Sequence, residues 1–291
     1  MARKTNAFHG SSFFWGIPAL LWQICFFYMP LSFLLATSFI KYNPELHTLR
    51  FTWLHYTNLF HWVYIKIVLR SLLLACSTVI ATLTIAYPVA YYLVVKVRRW
   101  STLFFALLML PFWTNFLLLV YAWYFLLEND GLINTILLKL GIISTPLHMM
   151  NTTAALVCGM FYCYLPFMLL PLYSSFERLD RRLLEASKDL GANSWDTMKN
   201  ITIPLMMGGI KTGALLVFIP SFGEFVIPAL LGGDKSMYIG TTITHYFLAV
   251  RDVSAGSAFT CGATVLLILL LGCAYILYNT FARKKDNAQN W

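Results

Sequence analysis

Long stretches without a charged side chain dominate this sequence and restrict it to a membrane-embedded fold. The uncharged windows cover residues 5–40, 71–95, 100–127, 140–176 and 253–282. Each window can hold about 20 apolar residues in a helix, the length that crosses a hydrocarbon layer of about 30 Å. A sixth apolar segment, residues 207–231, contains one acid, Glu224. The sequence therefore predicts six membrane-spanning helices.

Composition supports the same class of protein. Apolar residues make up 59% and charged residues 11% of the 291 positions, whereas soluble domains average roughly 45–50% and 25%. We therefore predict an all-α polytopic membrane protein with a single transmembrane domain over residues 1–291. The predicted spans are about 13–39, 70–95, 101–127, 152–176, 207–231 and 256–281.

Basic residues predict the orientation of these spans. If the N-terminus lies inside, fourteen of the 21 Lys and Arg residues fall on the inner face, beginning with Arg3 and Lys4. Because Lys and Arg are retained on the cytoplasmic side, both termini are predicted to be cytoplasmic. The net charge of +9 is then largely a consequence of topology and does not indicate nucleic-acid binding.

The aromatic loop at residues 41–70 is predicted to lie on the outer side. Its rings recur at near-helical spacing, which predicts a helix lying in the membrane interface. Contact with a ligand is the alternative for this loop. The rings are Trp53, Tyr56, Phe60, Trp62 and Tyr64.

Several chemical functions are disfavoured. All six cysteines lie in apolar segments, where a free thiol behaves as a small hydrophobe, so neither a disulfide nor a metal site is predicted. The chain contains no G-x-x-x-x-G-K-[ST] motif, so nucleotide chemistry would have to come from a partner. It contains no H-E-x-x-H, and the serine cluster at residues 10–13 has no partner histidine in a span. We therefore do not expect an enzyme.

One polar segment, residues 177–204, is predicted to form a cytoplasmic helix–turn–helix. Its first half has a narrow apolar stripe at helical spacing. Gly191 suits the left-handed residue that ends a helix, Asn193 or Ser194 can cap a second helix, and Pro204 is expected to end it. Such a hairpin suits a groove on a partner, although a solvated hairpin without a partner is the alternative. The stripe consists of Leu179, Leu183, Leu184, Ala186 and Leu190.

The residue order in this hairpin resembles the EAA loop of ATP-binding-cassette (ABC) importer permeases. That loop reads E-A-A, three residues, G, nine residues, I-x-L-P, and this chain differs from it at Ser187 and Ile203. In that family the loop is the coupling helix, which inserts into a cleft of the ATPase subunit. The resemblance implies that this hairpin exposes docking residues. They are Glu185, Ala186 and Gly191, and the wider set assigned to coupling adds Ser187, Ile201 and Pro204.

Three further segments resemble the permeases of spermidine and putrescine importers: PFWTN at 111–115, LPFMLLPLYSSFERLD at 165–180 and VFIPSFGEFVIPALLGG at 217–233. The resemblance implies a type I importer fold in a bacterial inner membrane. It also implies a second, different permease subunit, a dimer of ATPase subunits that bind ATP and Mg, and a periplasmic polyamine-binding protein. No cofactor is expected in this chain. A permease for another small solute, or a secondary cation transporter or channel, is the alternative.

Glu224 is the candidate contact for a cationic substrate. A charge within a span costs at least about 2.5 kcal/mol unless it faces water or a partner. Pro220 and Pro228, four residues to either side, are predicted to share its helix face and to release backbone carbonyls. A carboxylate with free carbonyls suits an ammonium group, whereas a protonated Glu224 that clamps two helices together is the alternative. Further pathway candidates lie in the third predicted span, namely Trp113, Asn115, Tyr121, Trp123 and Tyr124.

Overall fold

A computed structural model describes residues 9–43, 48–233 and 237–289 of the chain. Arg3, Lys4 and the outer-face residue Lys235, which entered the orientation argument, lie outside these ranges. Within the described residues, six helices are long and apolar enough to cross a membrane, which confirms the predicted number. They are Gly16–Ser38, Trp62–Val97, Phe116–Lys139, Thr153–Glu177, Ser194–Phe222 and Val253–Thr280.

The structure consists of helices and one β-hairpin. The first elements are α1 (His9–Gln23), α2 (Met29–Ser38), β1 (Ile40–Asn43), β2 (Thr48–Phe51), α3 (Leu54–Asn58), α4 (Trp62–Tyr91) and α5 (Ser101–Met109). They are followed by α6 (Phe116–Leu127), α7 (Leu132–Lys139), α8 (Thr153–Glu177), α9 (Arg181–Asp189), α10 (Ser194–Thr197) and α11 (Ile203–Phe222). The last are α12 (Val226–Leu231), α13 (Ile239–Thr244) and α14 (Val253–Gln289).

Short non-α turns join several of these helices. Turns of π-helix are Ile24–Tyr28, Tyr92–Val97, Met198–Thr202 and His245–Val250, and turns of 3-10 helix are Arg98–Trp100 and Leu110–Trp113. Because π-turns admit an extra residue without ending a helix, they let long spans continue through local irregularities.

The third span differs from its prediction. Residues 101–127 form two helices, α5 and α6, because the chain becomes extended at Thr114 and the side chain of Asn115 caps α6. Pro111, which lacks an N–H, lies in the first turn of the intervening 3-10 helix. By length and composition the candidate span is Phe116–Lys139, in which a turn at residues 128–131 separates α6 from α7, whereas Ser101–Trp113 is a shorter apolar helix.

The fifth span also differs from its prediction. The chain is helical from Ser194 to Phe222, so the helix end expected at Pro204 is wrong. Pro204 lies in the first turn of α11, where a missing N–H is tolerated because the π-turn Met198–Thr202 precedes it. The break occurs instead at residues 223–225, directly around Glu224, and α12 follows.

The aromatic loop at residues 41–70 is only partly helical. Its first half is an antiparallel hairpin in which Ile40 pairs with Phe51, and α3 contributes a single short helix. The hairpin forms because rings pack at its base: Phe39 stacks on Phe51 with ring centroids 5.6 Å apart, and Trp53 meets Phe39 edge-on at 4.9 Å. The rings expected on one interfacial helix are instead divided between α3 and the start of α4, with a break at residues 59–61.

The chain forms two compact units. The first comprises Met1–Ile65 and Ile243–Trp291. In it α14 packs against α2 and α3, and the Thr37 hydroxyl donates to the Ser257 hydroxyl at 3.0 Å. The hydroxyls of Ser38 and Tyr56 lie 2.7 Å apart. Polar pairs of this kind hold helices together where apolar surface is solvated by lipid and provides little driving force.

The second unit, Lys66–Thr242, contains both candidate sites. Its centre is α8, which packs along α11 and also contacts α6 and α12. Met160, Met168, Leu172 and Val217 are completely buried in this core. The helices α8 and α11 approach closely because α11 has small residues at its interface, which is the usual basis of helix association in membranes.

Candidate functional site

The polar hairpin folds as two capped helices joined at Gly191. The side chain of Asp180 accepts a hydrogen bond from the Arg182 amide at 3.0 Å and begins α9. Gly191 has a φ of +80°, the left-handed conformation that glycine adopts without steric cost. Its amide donates to the carbonyl of Lys188 at 2.9 Å and closes the helix end. The predicted helix–turn–helix and its glycine terminus are confirmed.

The second helix begins where the sequence predicted and is fixed to the first by a buried contact. The Asn193 side chain accepts from the amide of Asp196 at 2.8 Å, so Asn193 is the cap of α10. The hydroxyls of Ser187 and Thr197 lie 2.8 Å apart, and Ser187 is only 4% exposed. The departure from alanine at Ser187 thus adds a hydrogen bond between the two helices of the hairpin. The sequence showed the departure at Ser187 but did not predict this bond.

The outer surface of the hairpin carries most of the predicted docking residues. Glu185, Ala186 and Gly191 are exposed, whereas Ile201 is half-buried. Trp195 is 65% exposed and Leu190 is 88% exposed. Two large apolar side chains in water beside exposed polar ones are typical of a surface that a partner covers.

Arg181 fastens this hairpin to α4. Its guanidinium donates to the backbone carbonyls of Val94 and Val95, which lie in the π-turn that continues α4. The last carbonyls of a helix have no partner within the helix, and a cation near them also meets the negative end of the helix dipole. Sequence reasoning missed Arg181, because no local pattern shows which carbonyls a surface arginine reaches.

Glu224 lies in the break between α11 and α12. One carboxylate oxygen accepts from the amides of Phe225 at 3.0 Å and Val226 at 2.8 Å, and the other accepts from the Tyr164 hydroxyl at 2.5 Å. The carboxylate therefore caps α12 and links it to α8. A carboxylate offers about four acceptor positions, so three bonds leave capacity for one further donor. Glu224 is half-buried.

The N-terminal residues of α13 pack closely against the helix break. A Cβ atom on Gly240 would lie 2.3 Å from the carbonyl oxygen of Gly223 and 2.5 Å from that of Glu224, so only glycine fits there. The neighbouring amide of Ile239 donates to the Ser71 hydroxyl on α4 at 2.8 Å. These contacts hold the non-helical backbone within protein, as a membrane environment requires.

An aromatic cavity of about 300 Å³ adjoins this site. Tyr164 belongs both to the cavity wall and to the hydrogen bonds of Glu224. Pro220 lines the cavity, whereas Pro228 is buried on α12. The two prolines therefore do not share a helix face with Glu224, because the chain breaks between them. The remaining lining residues are Phe112, Thr114, Phe116, Leu119, Cys163 and Phe167.

The predicted aromatic residues of the third span do not line this cavity. Trp113 is 77% exposed and Tyr121 is 44% exposed. Trp123 meets Tyr162 edge-on with centroids 5.5 Å apart, and Asn115 uses its side chain to accept from the Leu117 amide at 2.8 Å. Tyr124 lies perpendicular to its neighbour Phe125.

The rings that surround the cavity were missed by the sequence reasoning. Phe112 and Phe116 flank the predicted residues by one position each, so the predicted segment adjoins the cavity while its predicted rings do not line it. Tyr164 could have been found, because a buried tyrosine in a span needs a partner for its hydroxyl. Phe167 carries no comparable signal in the sequence.

Comparisons with known proteins place the whole chain in one family. Residues 82–287 match the family model of the binding-protein-dependent transport system inner membrane component. PotB of Haemophilus influenzae, a spermidine/putrescine transport system permease protein, is 39% identical, covering 91% of this chain and 93% of that protein. PotB of Escherichia coli K12 is 39% identical, covering 86% and 91%. YdcU of Escherichia coli K12, an inner membrane ABC transporter permease protein, is 31% identical, covering 90% and 83%.

A solved structure shares the fold. A bacterial ABC transporter involved in the import of the acidic polysaccharide alginate aligns with a TM-score of 0.71 at 16% identity, covering 91% of this chain and 94% of that one. A bacterial alginate ABC transporter in complex with its pentasaccharide-bound periplasmic protein aligns at 0.68 and 15%, covering 90% and 91%. The relatives are named as permease proteins, which are transport subunits and not enzymes. This chain therefore belongs to the family of binding-protein-dependent transport system inner membrane components, the permease subunits of ABC importers.

Proposed function

We propose that this chain is a permease subunit of an ATP-driven polyamine importer, in which it forms half of the translocation pathway for putrescine or spermidine. The observation that carries the proposal is Glu224, a half-buried carboxylate in a helix break beside the aromatic cavity. Ammonium groups bind carboxylates and the faces of aromatic rings. The names of the PotB relatives support the same substrate class.

The proposed contact is weak, as a transport path requires. A deep binding well would retain the substrate, and each positive charge already gains about 2.3 kcal/mol per 100 mV of interior-negative potential on moving inward. One carboxylate with a single free acceptor position, shared with Tyr164 and the amides of α12, is suited to transient binding. ATP hydrolysis by the partner then drives alternation between outward and inward states.

The proposal includes a second, different permease subunit. Trp113 and Tyr121 present exposed rings, and we assign them to the half of the pathway that faces this subunit. Asn115, Trp123 and Tyr124 stay in the proposed pathway segment, where they support α6 by capping and ring packing. Both termini lie in the cytoplasm in this arrangement.

Coupling to the ATPase is assigned to the hairpin at residues 177–204. Its exposed Glu185, Ala186 and Gly191 would enter the cleft of the ATPase subunit, while Ser187 holds the two helices together. Through Arg181, movement of the hairpin would reach the carbonyl end of α4. A photo-crosslinking residue at Ala186 should then capture the ATPase subunit in native membranes, whereas the same residue at Glu128 should not.

Substitution of Glu224 tests the substrate path. Glu224→Gln keeps an acceptor oxygen for the capped amides but removes the charge, and hydrogen bonds to charged groups contribute about 1.5–3 kcal/mol. We expect uptake of labelled putrescine or spermidine by the reconstituted complex to fall about tenfold or more, with binding-protein-stimulated ATP hydrolysis retained.

The matched control is Glu128→Gln, at an exposed acid beyond the end of α6, which should transport normally. Undiminished uptake by Glu224→Gln would refute the pathway role of this residue. Absence of uptake of both putrescine and spermidine by the wild-type complex would indicate a different small solute.

A further inference from the structure

A second cavity lies between the hairpin and the end of α4, apart from the aromatic cavity. Its volume is about 430 Å³, and Tyr87 and Tyr91 of α4 form one wall. Lys96 lies at the end of this helical segment, while Arg181 and Lys188 come from α9. Because the spanning segment Trp62–Val97 ends here, the cavity lies at the depth where the hydrocarbon layer meets the polar headgroups.

The charged groups around this cavity favour an anion. Three basic side chains, Lys96, Arg181 and Lys188, line it together with one acid, Glu185. Arg181 is partly engaged by the carbonyls of α4. Lys96 and Lys188 are exposed, and within the described ranges of the chain neither ammonium has an ion-pair partner. The cavity therefore has an excess of positive charge with donors available.

A buried hydroxyl in the wall also lacks a partner. The oxygen of Tyr87 is fully buried and makes no hydrogen bond with any residue that the structure describes. An unpaired buried hydroxyl is costly, and nearly all such groups in folded proteins have a partner. The oxygen has no surface open to the cavity in this arrangement, so an acceptor oxygen from a ligand would satisfy it after a small side-chain movement at the wall that Tyr87 forms. This observation is independent of the three cations and indicates the same kind of ligand.

We propose that this cavity binds the phosphate group of an anionic ligand, and that the ligand is an acidic phospholipid. Lys96 and Lys188 would pair with the phosphate, and the Tyr87 hydroxyl would donate to one of its oxygens. The rings of Tyr87 and Tyr91 with Pro88 and Leu184 form an apolar wall that suits the glycerol and first acyl carbons. Basic pockets between spanning helices near the cytoplasmic surface bind acidic headgroups in this way.

The consequence is a lipid that bridges α4 and the hairpin. Lys96 follows α4, whereas Lys188 belongs to α9, so one phosphate would connect the spanning helix to the proposed coupling element. Only the assignment to the cytoplasmic leaflet rests on the proposed function. The cavity and its chemistry do not depend on which solute is carried.

Native mass spectrometry of the complete transporter tests the inference. The complex, purified with its partner subunits, is exposed to phosphatidylglycerol or phosphatidylcholine, and retained lipid is counted. We expect retention of phosphatidylglycerol by the wild type, and at least a roughly tenfold loss in Lys96→Gln/Lys188→Gln, because two charge-assisted bonds are removed. Tyr87→Phe, which keeps the ring, should lose about threefold or more. The control Lys199→Gln alters an exposed lysine outside the cavity and should retain lipid as the wild type does.

A second arm distinguishes the source of the phosphate. If inorganic phosphate at millimolar concentration binds while phosphatidylglycerol does not, the phosphate site is supported and the lipid assignment is overturned. Equal retention in all variants, or equal retention of both lipids, overturns the site itself. Lipid retention is measured without polyamine. A negative result would therefore count against the lipid site and not against the polyamine pathway tested by Glu224→Gln.

Discussion

The interface between α8 and α11 makes a sharp prediction through two adjacent glycines. A Cβ on Gly209 would lie 2.3 Å from the Ser175 hydroxyl oxygen and 2.8 Å from the Pro171 carbonyl oxygen, whereas a Cβ on Gly208 would meet nothing within 4 Å. The hydroxyl of Ser175 can rotate away, but the Cβ of Ser175, also at 2.8 Å, and the carbonyl of Pro171 are fixed to the backbone of α8 and can move only with the helix. Gly209→Ala therefore forces the helices apart, and Gly208→Ala does not.

The two variants should therefore differ in their free energy of unfolding. Both variants gain up to about 1 kcal/mol from the greater helix propensity of alanine, but overpacking at Gly209 costs typically 1–3 kcal/mol. We expect Gly209→Ala to be less stable than Gly208→Ala by about 1–3 kcal/mol. For a chain of this size, this corresponds to a difference in Tm of roughly 2–5 °C.

Thermal unfolding of the two variants in the same detergent, followed by tryptophan fluorescence, measures this difference directly. Gly208→Ala is the matched control, since it changes the same residue type one position away on the same helix. Equal Tm values for the two variants, or a higher Tm for Gly209→Ala, would refute the claim that close backbone contact at Gly209 sets the spacing of α8 and α11.

Two further predictions concern single hydroxyl groups. Ser187→Ala removes the bond to Thr197, worth about 1 kcal/mol, so amide hydrogen exchange in residues 181–202 should rise roughly fivefold. Ser194→Ala, at an exposed serine, should leave exchange unchanged. Equal exchange in the two variants would mean that the bond between Ser187 and Thr197 does not stabilise the hairpin. Tyr164→Phe removes one donor from Glu224 and should lower polyamine uptake severalfold while Tyr162→Phe does not. Uptake at the wild-type level in Tyr164→Phe would mean that its hydroxyl does not orient the carboxylate.

Sequence alone predicted a structural feature wherever the residues that cause it lie in one contiguous segment. Apolar length specifies a spanning helix because the bilayer has a fixed thickness, so six spans could be counted from the order of residues. The turn at Gly191 and the cap at Asn193 were equally readable, since helix ends are satisfied by neighbours two or three residues away. Pro204 shows the limit of such rules, because the π-turn that accommodates it has no reliable local signal.

The candidate pathway could be predicted only in part. Glu224 was found because an acid in an apolar segment is conspicuous, and the predicted segment at residues 111–115 adjoins the same cavity. Which rings surround the cavity depends on how the helical segments on either side of Thr114 are rotated, and a rotation of one residue exchanges Phe112 for Trp113. Helix rotation is set by packing against other helices, which no single segment specifies.

The sequence by itself determined the class of protein, the number of its spans and the form of its polar hairpin, because bilayer thickness and helix termini act on contiguous residues. Only the tertiary structure decided that Glu224 caps α12 and bonds Tyr164, that Arg181 reaches the carbonyl end of α4, and that Ser187 meets Thr197. These contacts between helices join residues that are 10 to 87 positions apart. They form because packed helices bring particular side chains within bonding distance, and that geometry belongs to the whole fold.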